Sequence, residues 1–398
     1  MMASIAMQIS RRAILAAVPV LGAAQPLSDR IRIGIIGAGG RANDHYKELS
    51  ASNLNARITH VCDVWKVARE KFAGQVKQAW GAEPKQSSRY QELLADKDVD
   101  AVILTAPDHT HSRMLIDAVA AGKDVYCEKP MGTILSEARD AFVAVKRSNR
   151  IVQIGTQRRS DGGLAAAANA IRAGMIGKVT RADIQYHFQE PRWRRDFHMV
   201  RAEDVDWEAF SFGRDLGKFD ARKLREWQLF PPLTNGIAGL WLSHFIDLAY
   251  WFLDDPYPSS AVSHGGVYMW NDGRVTSDVY HTLVEYPKGC MVHFAMSMTN
   301  SAGSRHLWFG TRGLFDGEKL TLSPDGSKDP RRLEGEIKLQ PVELNSHLAN
   351  FLDCVRSRKT PRADIQCGFS HAVAGIMSSE ALRLGRKVTF DTGRLEIV

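Results

Sequence analysis

Cysteine is scarce in this chain and forms no pattern. Cys62, Cys127, Cys290, Cys354 and Cys367 are an odd, scattered set with no C-x-x-C pair, so no disulfide framework is expected. Cys62 and Cys127 sit in apolar runs, where small buried thiols are common. Metal-ligand spacing is also missing. There is no H-E-x-x-H, and His109 and His111 stand two apart without obvious further ligands, so no metal is expected. No apolar run reaches the roughly 18 to 20 residues that a membrane-spanning helix needs. The net charge is only +7 over 398 residues, and no long basic block carries it, which argues against nucleic acid as a partner.

What is present is ordinary globular composition, 44% hydrophobic and 24% charged, in a chain long enough for two domains. The N-terminus reads as an export signal. Ser10-Arg11-Arg12 precedes "AILAAVPVLGAA", an apolar run of about a dozen residues ending in small side chains. The paired arginines suit a twin-arginine signal over residues 1–28, and therefore a periplasmic or secreted protein that folds before export.

The first third alternates strand and helix. "IRIGIIGAGGRA" is a short apolar strand followed at once by glycines. Gly37, Gly39 and Ala42 fit G-x-G-x-x-G/A: a tight turn, close approach of backbone to a pyrophosphate, and close helix packing. Gly40 and Arg41 lead into a helix expected over 42–51, whose first amides face the phosphates. The next strand, "ARITHVCDV", ends in Asp63, placed to accept hydrogen bonds from a ribose. A carboxylate there repels a 2′-phosphate, so NAD is expected rather than NADP, with nearby Lys66 acting against that preference.

An unbroken apolar strand over 101–106 follows, as in a sheet covered on both faces. It ends in "PDHTH", and the next strand ends in "CEKP". Pro107, His109, His111, Glu128 and Lys129 therefore fall on the carboxyl edge where such sheets bind ligands, and are candidate cofactor contacts. Beyond residue 155 the strands alternate polar and apolar, as in "ADIQYHF", "HTLVEY" and "CMVHFAM", which suggests a sheet with one polar face. The expected fold class is α/β: a Rossmann domain over 29–155, then an α+β domain over 156–398 with an open, mostly antiparallel sheet.

"GIIGAGGRA", "AVILTAPDHTH" and "CEKP", continued by "IVQIGTQRRS", "VDWEAF", "SHFIDLAYW" and "NFLDCVRSRKTP", resemble the glucose–fructose oxidoreductase/inositol dehydrogenase family, Gfo/Idh/MocA. The resemblance covers essentially the whole chain past the N-terminal segment. It implies an NAD(P)-dependent oxidoreductase acting on a small carbohydrate, and a homo-oligomer joined through the open sheet. It also implies catalytic roles for two residues. Lys129 would support the nicotinamide and stabilise a developing alkoxide, with its pKa depressed by burial; Pro130 would follow a cis peptide. His244 would be the general base. "GLWLSHFIDLAYWF" reads as a helix that puts Leu240, His244 and Asp247 on one face, so Asp247 could orient the imidazole.

One position departs from the family. Its dehydrogenases usually carry Asp four residues before this histidine, where this chain has Leu240. That keeps open a second expectation: an NAD-dependent glycosidase that oxidises its sugar transiently and retains the cofactor. Gln157, Arg158 and Arg159 at the start of the second domain, and Trp193 within "EPRWRRDFH", are candidate substrate contacts, through aromatic stacking and forked guanidinium hydrogen bonds.

Overall fold

The structure, a computed structural model, describes residues 30–398; the expected export signal lies outside them. The first sheet contains β1 (Ile31–Ile36), β2 (Ala56–Cys62), β3 (Lys85–Ser87), β4 (Ala101–Leu104), β5 (Asp124–Cys127) and β6 (Val152–Ile154). All pair in parallel, in the order β3-β2-β1-β4-β5-β6. The order reverses between β1 and β4, which opens a crevice at their carboxyl ends. All four residues of β4 are buried, as an apolar strand covered on both faces requires.

The second sheet has ten strands: β7 (Val179–His187), β8 (Ser260–Gly266), β9 (Val279–Tyr286), β10 (Cys290–Ser297), β11 (Arg305–Gly310), β12 (Gly313–Asp316), β13 (Thr321–Ser323), β14 (Ile337–Lys338), β15 (Val388–Asp391) and β16 (Glu396–Ile397). Its pairs are antiparallel except β7 with β10. In β9 exposed and buried residues alternate: the apolar face meets the core, and the polar face is open.

Two features tie the sheets together. Helix Ile365–Leu384 is buried around most of its circumference and packs on β8 and on helix Leu135–Arg147, where Phe369 stacks on Phe142. Helix His347–Ser357 returns to the first sheet, and its Leu348, Phe351 and Val355 share a core with Ile33, Ile35 and Val61. Residues 189–233, mostly loop and short turns, form a small core of their own. Phe210, Leu224 and Leu233 pack there on Val64 and Trp65 at the end of β2. Val205 bridges to Trp65.

Candidate active site

A cavity of about 300 Å³ opens at the carboxyl ends of β1, β2 and β4. Gly37, Gly39, Gly40, Arg41, Asp63 and Pro107 line it. Gly37 has φ +95, and a Cβ there would lie 2.6 Å from the Ala106 nitrogen, so only glycine makes this turn. Gly39 and Gly40 differ: a Cβ on either would meet open space. That space is what a pyrophosphate needs against the first amides of helix Gly40–Ala51. Asp63 accepts from Ala38 N at 2.6 Å and from Trp65 N at 2.8 Å. Each oxygen keeps a second lone pair for a ribose hydroxyl. Thr105 fixes the turn from below through its hydroxyl, which donates to Gly37 O at 2.6 Å. Glycine cradle, free backbone amides and ribose-side carboxylate fit a dinucleotide.

Lys129 and His244 lie beyond this cavity. The Lys129 peptide bond to Pro130 is cis, and its ammonium donates to Leu240 O at 3.1 Å. Burial pulls the Lys129 pKa down, against the opposing charges of Asp108 and Glu128. Leu240 lies within a π-helical turn, Ala238–Leu242, that leads into helix Ser243–Leu253. His244, one turn on, is largely buried and its ring meets Trp241 edge-on at 6.2 Å. Burial, then the charges of Lys129 and Arg158, hold its pKa well below 6.5. The imidazole is therefore neutral at pH 7 and able to take a proton.

Several expected contacts turn out to be internal. His109 and His111 face the protein rather than the cofactor crevice. His109 donates to Phe210 O at 2.9 Å, and both nitrogens of His111 lie 2.8 Å from carbonyls, of Pro130 and Ala106. Glu128 is buried and receives Arg41 at 2.6 Å, His45 at 3.0 Å and Gln157 at 3.1 Å. Gln157 also donates to the Tyr126 hydroxyl, so it braces β5 rather than facing substrate. Asp247 does not orient His244. Arg159 captures it at 2.7 Å in a buried pair, and the guanidinium packs on Tyr250 and Trp251. Trp193 has a left-handed backbone, φ +68, and packs against the main core. Arg158 lies 4.2 Å over the ring of buried Phe245. Lys66 pairs with Glu70 on the surface.

Other residues escaped the sequence reading, apart from Arg195, one of the three arginines in the "EPRWRRDFH" segment expected to face substrate. Trp241 stacks on Tyr186 at 5.3 Å and packs on Phe188, and this aromatic shelf flanks His244. Asp108, within the quoted "PDHTH", is a buried carboxyl that accepts from Thr234 at 2.9 Å. Burial pushes it up to about 6 against the charge of Lys129. Arg195, Phe210, Arg225, Trp227 and Gln228 line the cofactor cavity from the 189–233 segment and roof it. Only the i−3 spacing of Trp241 from His244 signalled any of the others. Among the described residues no group of three or more metal-ligating side chains forms, and no helix is long and apolar enough to cross a membrane.

Comparison with known proteins agrees with this geometry. Residues 31–156 match the model of an oxidoreductase family with an NAD-binding Rossmann fold, and residues 164–319 match the GFO/IDH/MocA C-terminal domain. The chain is 28% identical to scyllo-inositol 2-dehydrogenase (NAD(+)) of Bacillus subtilis over 382 residues, covering 92% of this chain and 98% of that one. It is 26% identical to 1,5-anhydro-D-fructose reductase of Ensifer adhaerens, over 76% of this chain and 83% of that one. Among solved structures, the WlbA dehydrogenase of Chromobactrium violaceum, in complex with NADH and UDP-GlcNAcA, superposes with a TM-score of 0.69 at 18% identity, covering 94% and 99% of the two chains. Aldose-aldose oxidoreductase of Caulobacter crescentus gives 0.68 at 15% identity, covering 91% and 100%. The chain is an NAD-binding oxidoreductase and belongs to the Gfo/Idh/MocA family.

Proposed function

We propose that this enzyme oxidises or reduces a sugar or polyol at a carbinol carbon, with Lys129 and His244 as the catalytic pair. The observation that carries the reading is their placement: a partly buried ammonium anchored on Leu240 O, whose residue stands one helical turn before a neutral, partly buried imidazole. Bound NAD supplies the hydride acceptor or donor. His244 takes the hydroxyl proton of the substrate, and Lys129 stabilises the oxygen that loses it. The stacked Trp241 and Tyr186 offer an aromatic face to a sugar ring. The relatives' substrates, an inositol and an anhydrosugar, support the same class.

In this reading the chain divides at about residue 155, is exported as a folded protein, and forms a homo-oligomer through the open face of the second sheet. Leu283 and Met291 stand exposed on that face. A second reading, transient oxidation by an NAD-dependent glycosidase, draws support from the roof over the cofactor cavity, which would favour a retained nucleotide. Product analysis separates the two. Oxidation of a polyol with one NADH per ketone formed supports the dehydrogenase. Release of aglycone from a chromogenic glycoside with flat NADH supports the glycosidase. Neither result, across a broad panel, would count against both.

A further inference from the structure

We propose that Arg195 and Arg225, on the segment that roofs the cofactor cavity, bind the pyrophosphate of the dinucleotide. The proposal rests on the cofactor site alone and is independent of the chemistry assigned to Lys129 and His244.

The charges around the cavity do not balance. Asp63 is the one carboxylate among the described residues that line it, against three arginines, Arg41, Arg195 and Arg225. Arg41 is already answered, by Glu128 at 2.6 Å and by Asp44 at 3.2 Å. The other two are not. Arg225 lies 4.9 Å over the Trp65 ring, and its Nε donates to Asp196 O at 3.1 Å. Both of its terminal nitrogens are without a partner among the described residues. Arg195 commits Nη1 within the roof, to Arg225 O at 3.1 Å and to the Gln228 side chain at 2.9 Å, and keeps Nη2 without a partner among them. Glu226 does not compensate. It is fully buried, and its oxygens take the Arg194 and Arg222 side chains and the main-chain N–H of Arg195.

The protein's own contacts hold the roof in place. Asp206 N donates to Val64 O at 2.9 Å, Val205 bridges to Trp65, and Phe210 and Leu224 pack on the same two residues. Val64 and Trp65 directly follow Asp63, so the roof is fixed to the strand end that carries the ribose-side carboxylate. Gly39 and Gly40 line the same cavity and leave open space before the first amides of helix Gly40–Ala51. A pyrophosphate in that space meets backbone amides from the glycine turn and guanidinium forks from the roof. Its double negative charge matches the two unanswered arginines.

The test uses the full-length protein freed of nucleotide. Affinities for adenosine, ADP-ribose, NAD and NADP are read by displacement of fluorescent NADH. Arg195→Gln and Arg225→Gln are each expected to weaken ADP-ribose and NAD by about tenfold or more, with adenosine binding and the melting midpoint unchanged. Arg225→Lys should keep part of the affinity. Added salt should weaken NAD binding more in wild type than in the double Gln variant. Unchanged ADP-ribose binding in both variants overturns the proposal. So does an equal loss for adenosine and ADP-ribose, which would assign the arginines to packing of the roof. A loss confined to NADP also overturns it, because it would assign them to a 2′-phosphate. No arm needs a sugar substrate, so the result is separate from the reaction proposed above.

Discussion

The Lys129 ammonium donates to the main-chain carbonyl of Leu240 at 3.1 Å. A backbone oxygen thus receives the lysine without adding a negative charge to the cleft. The π-helical turn Ala238–Leu242 brings that carbonyl to the lysine; such turns recur at functional sites. His244 follows one turn later, so a single local distortion sets the spacing of both groups.

His244→Asn is expected to lower kcat by about 10²- to 10⁴-fold, the usual contribution of a general base. The thermal midpoint should stay close to wild type, because neither ring nitrogen of His244 bonds to another described residue. Steady-state kinetics and a melting curve check this. A drop in the midpoint that accounts for the lost activity would assign His244 to the fold.

The glycine turn separates cofactor binding from folding. A Cβ at residue 39 meets open space, whereas at residue 37 it meets the Ala106 backbone in a conformation unfavourable to other residues. Gly39→Ala should therefore fold normally and weaken NAD binding by about tenfold or more. Gly37→Ala should lower stability as well. Calorimetric NAD titration and thermal denaturation distinguish the two.

Arg159 and Asp247 form a buried ion pair, with side chains 6% and 0% exposed. Removing one partner strands the other's charge, at a cost of about 3–5 kcal/mol. Asp247→Leu should therefore be strongly destabilised, and Arg159→Leu combined with Asp247→Leu should regain part of the loss. Urea denaturation of the two variants measures the difference.

Acid should destabilise the protein in a defined window. Burial lowers His109 and His347 to about 4, and His306 and His371 to about 3, from the usual 6.5. Between pH 6.5 and those values the unfolded chain binds more protons than the folded one. Stability is then full above about pH 6.5 and falls as pH drops through the window. Asp108, raised to about 6, and Asp63 and Asp247, also raised by burial, act in the opposite sense, but they are outnumbered, because burial lowers His244, His187 and His281 as well. The melting midpoint at pH 5 should lie on the order of 5 °C or more below that at pH 7.5. An equal or higher midpoint at pH 5 would contradict these burial states.

Short-range patterns carried much of this architecture. The turn at Gly37, the acid at Asp63 and the alternation in β9 are set by neighbours within a few residues, so they were legible in the sequence. Long-range contacts were not. Arg159 meets Asp247 across 88 positions, and helix His347–Ser357 returns to the first sheet; neither leaves a periodic signal. Helical spacing placed Asp247 beside His244, but the guanidinium packed against that helix claimed the carboxylate. The roof over the cofactor cavity comes from residues 189–233, which have little regular periodicity, and its apolar side chains show their purpose only once folded on Val64 and Trp65.

Single-turnover absorbance at 340 nm, with NAD-loaded protein and the polyol or sugar found by the substrate panel, probes the catalytic lysine most directly. One nicotinamide should be reduced per active site in wild type. In Lys129→Met the rate should fall about a thousandfold while NAD still binds. Reduction at the wild-type rate in Lys129→Met would contradict the account.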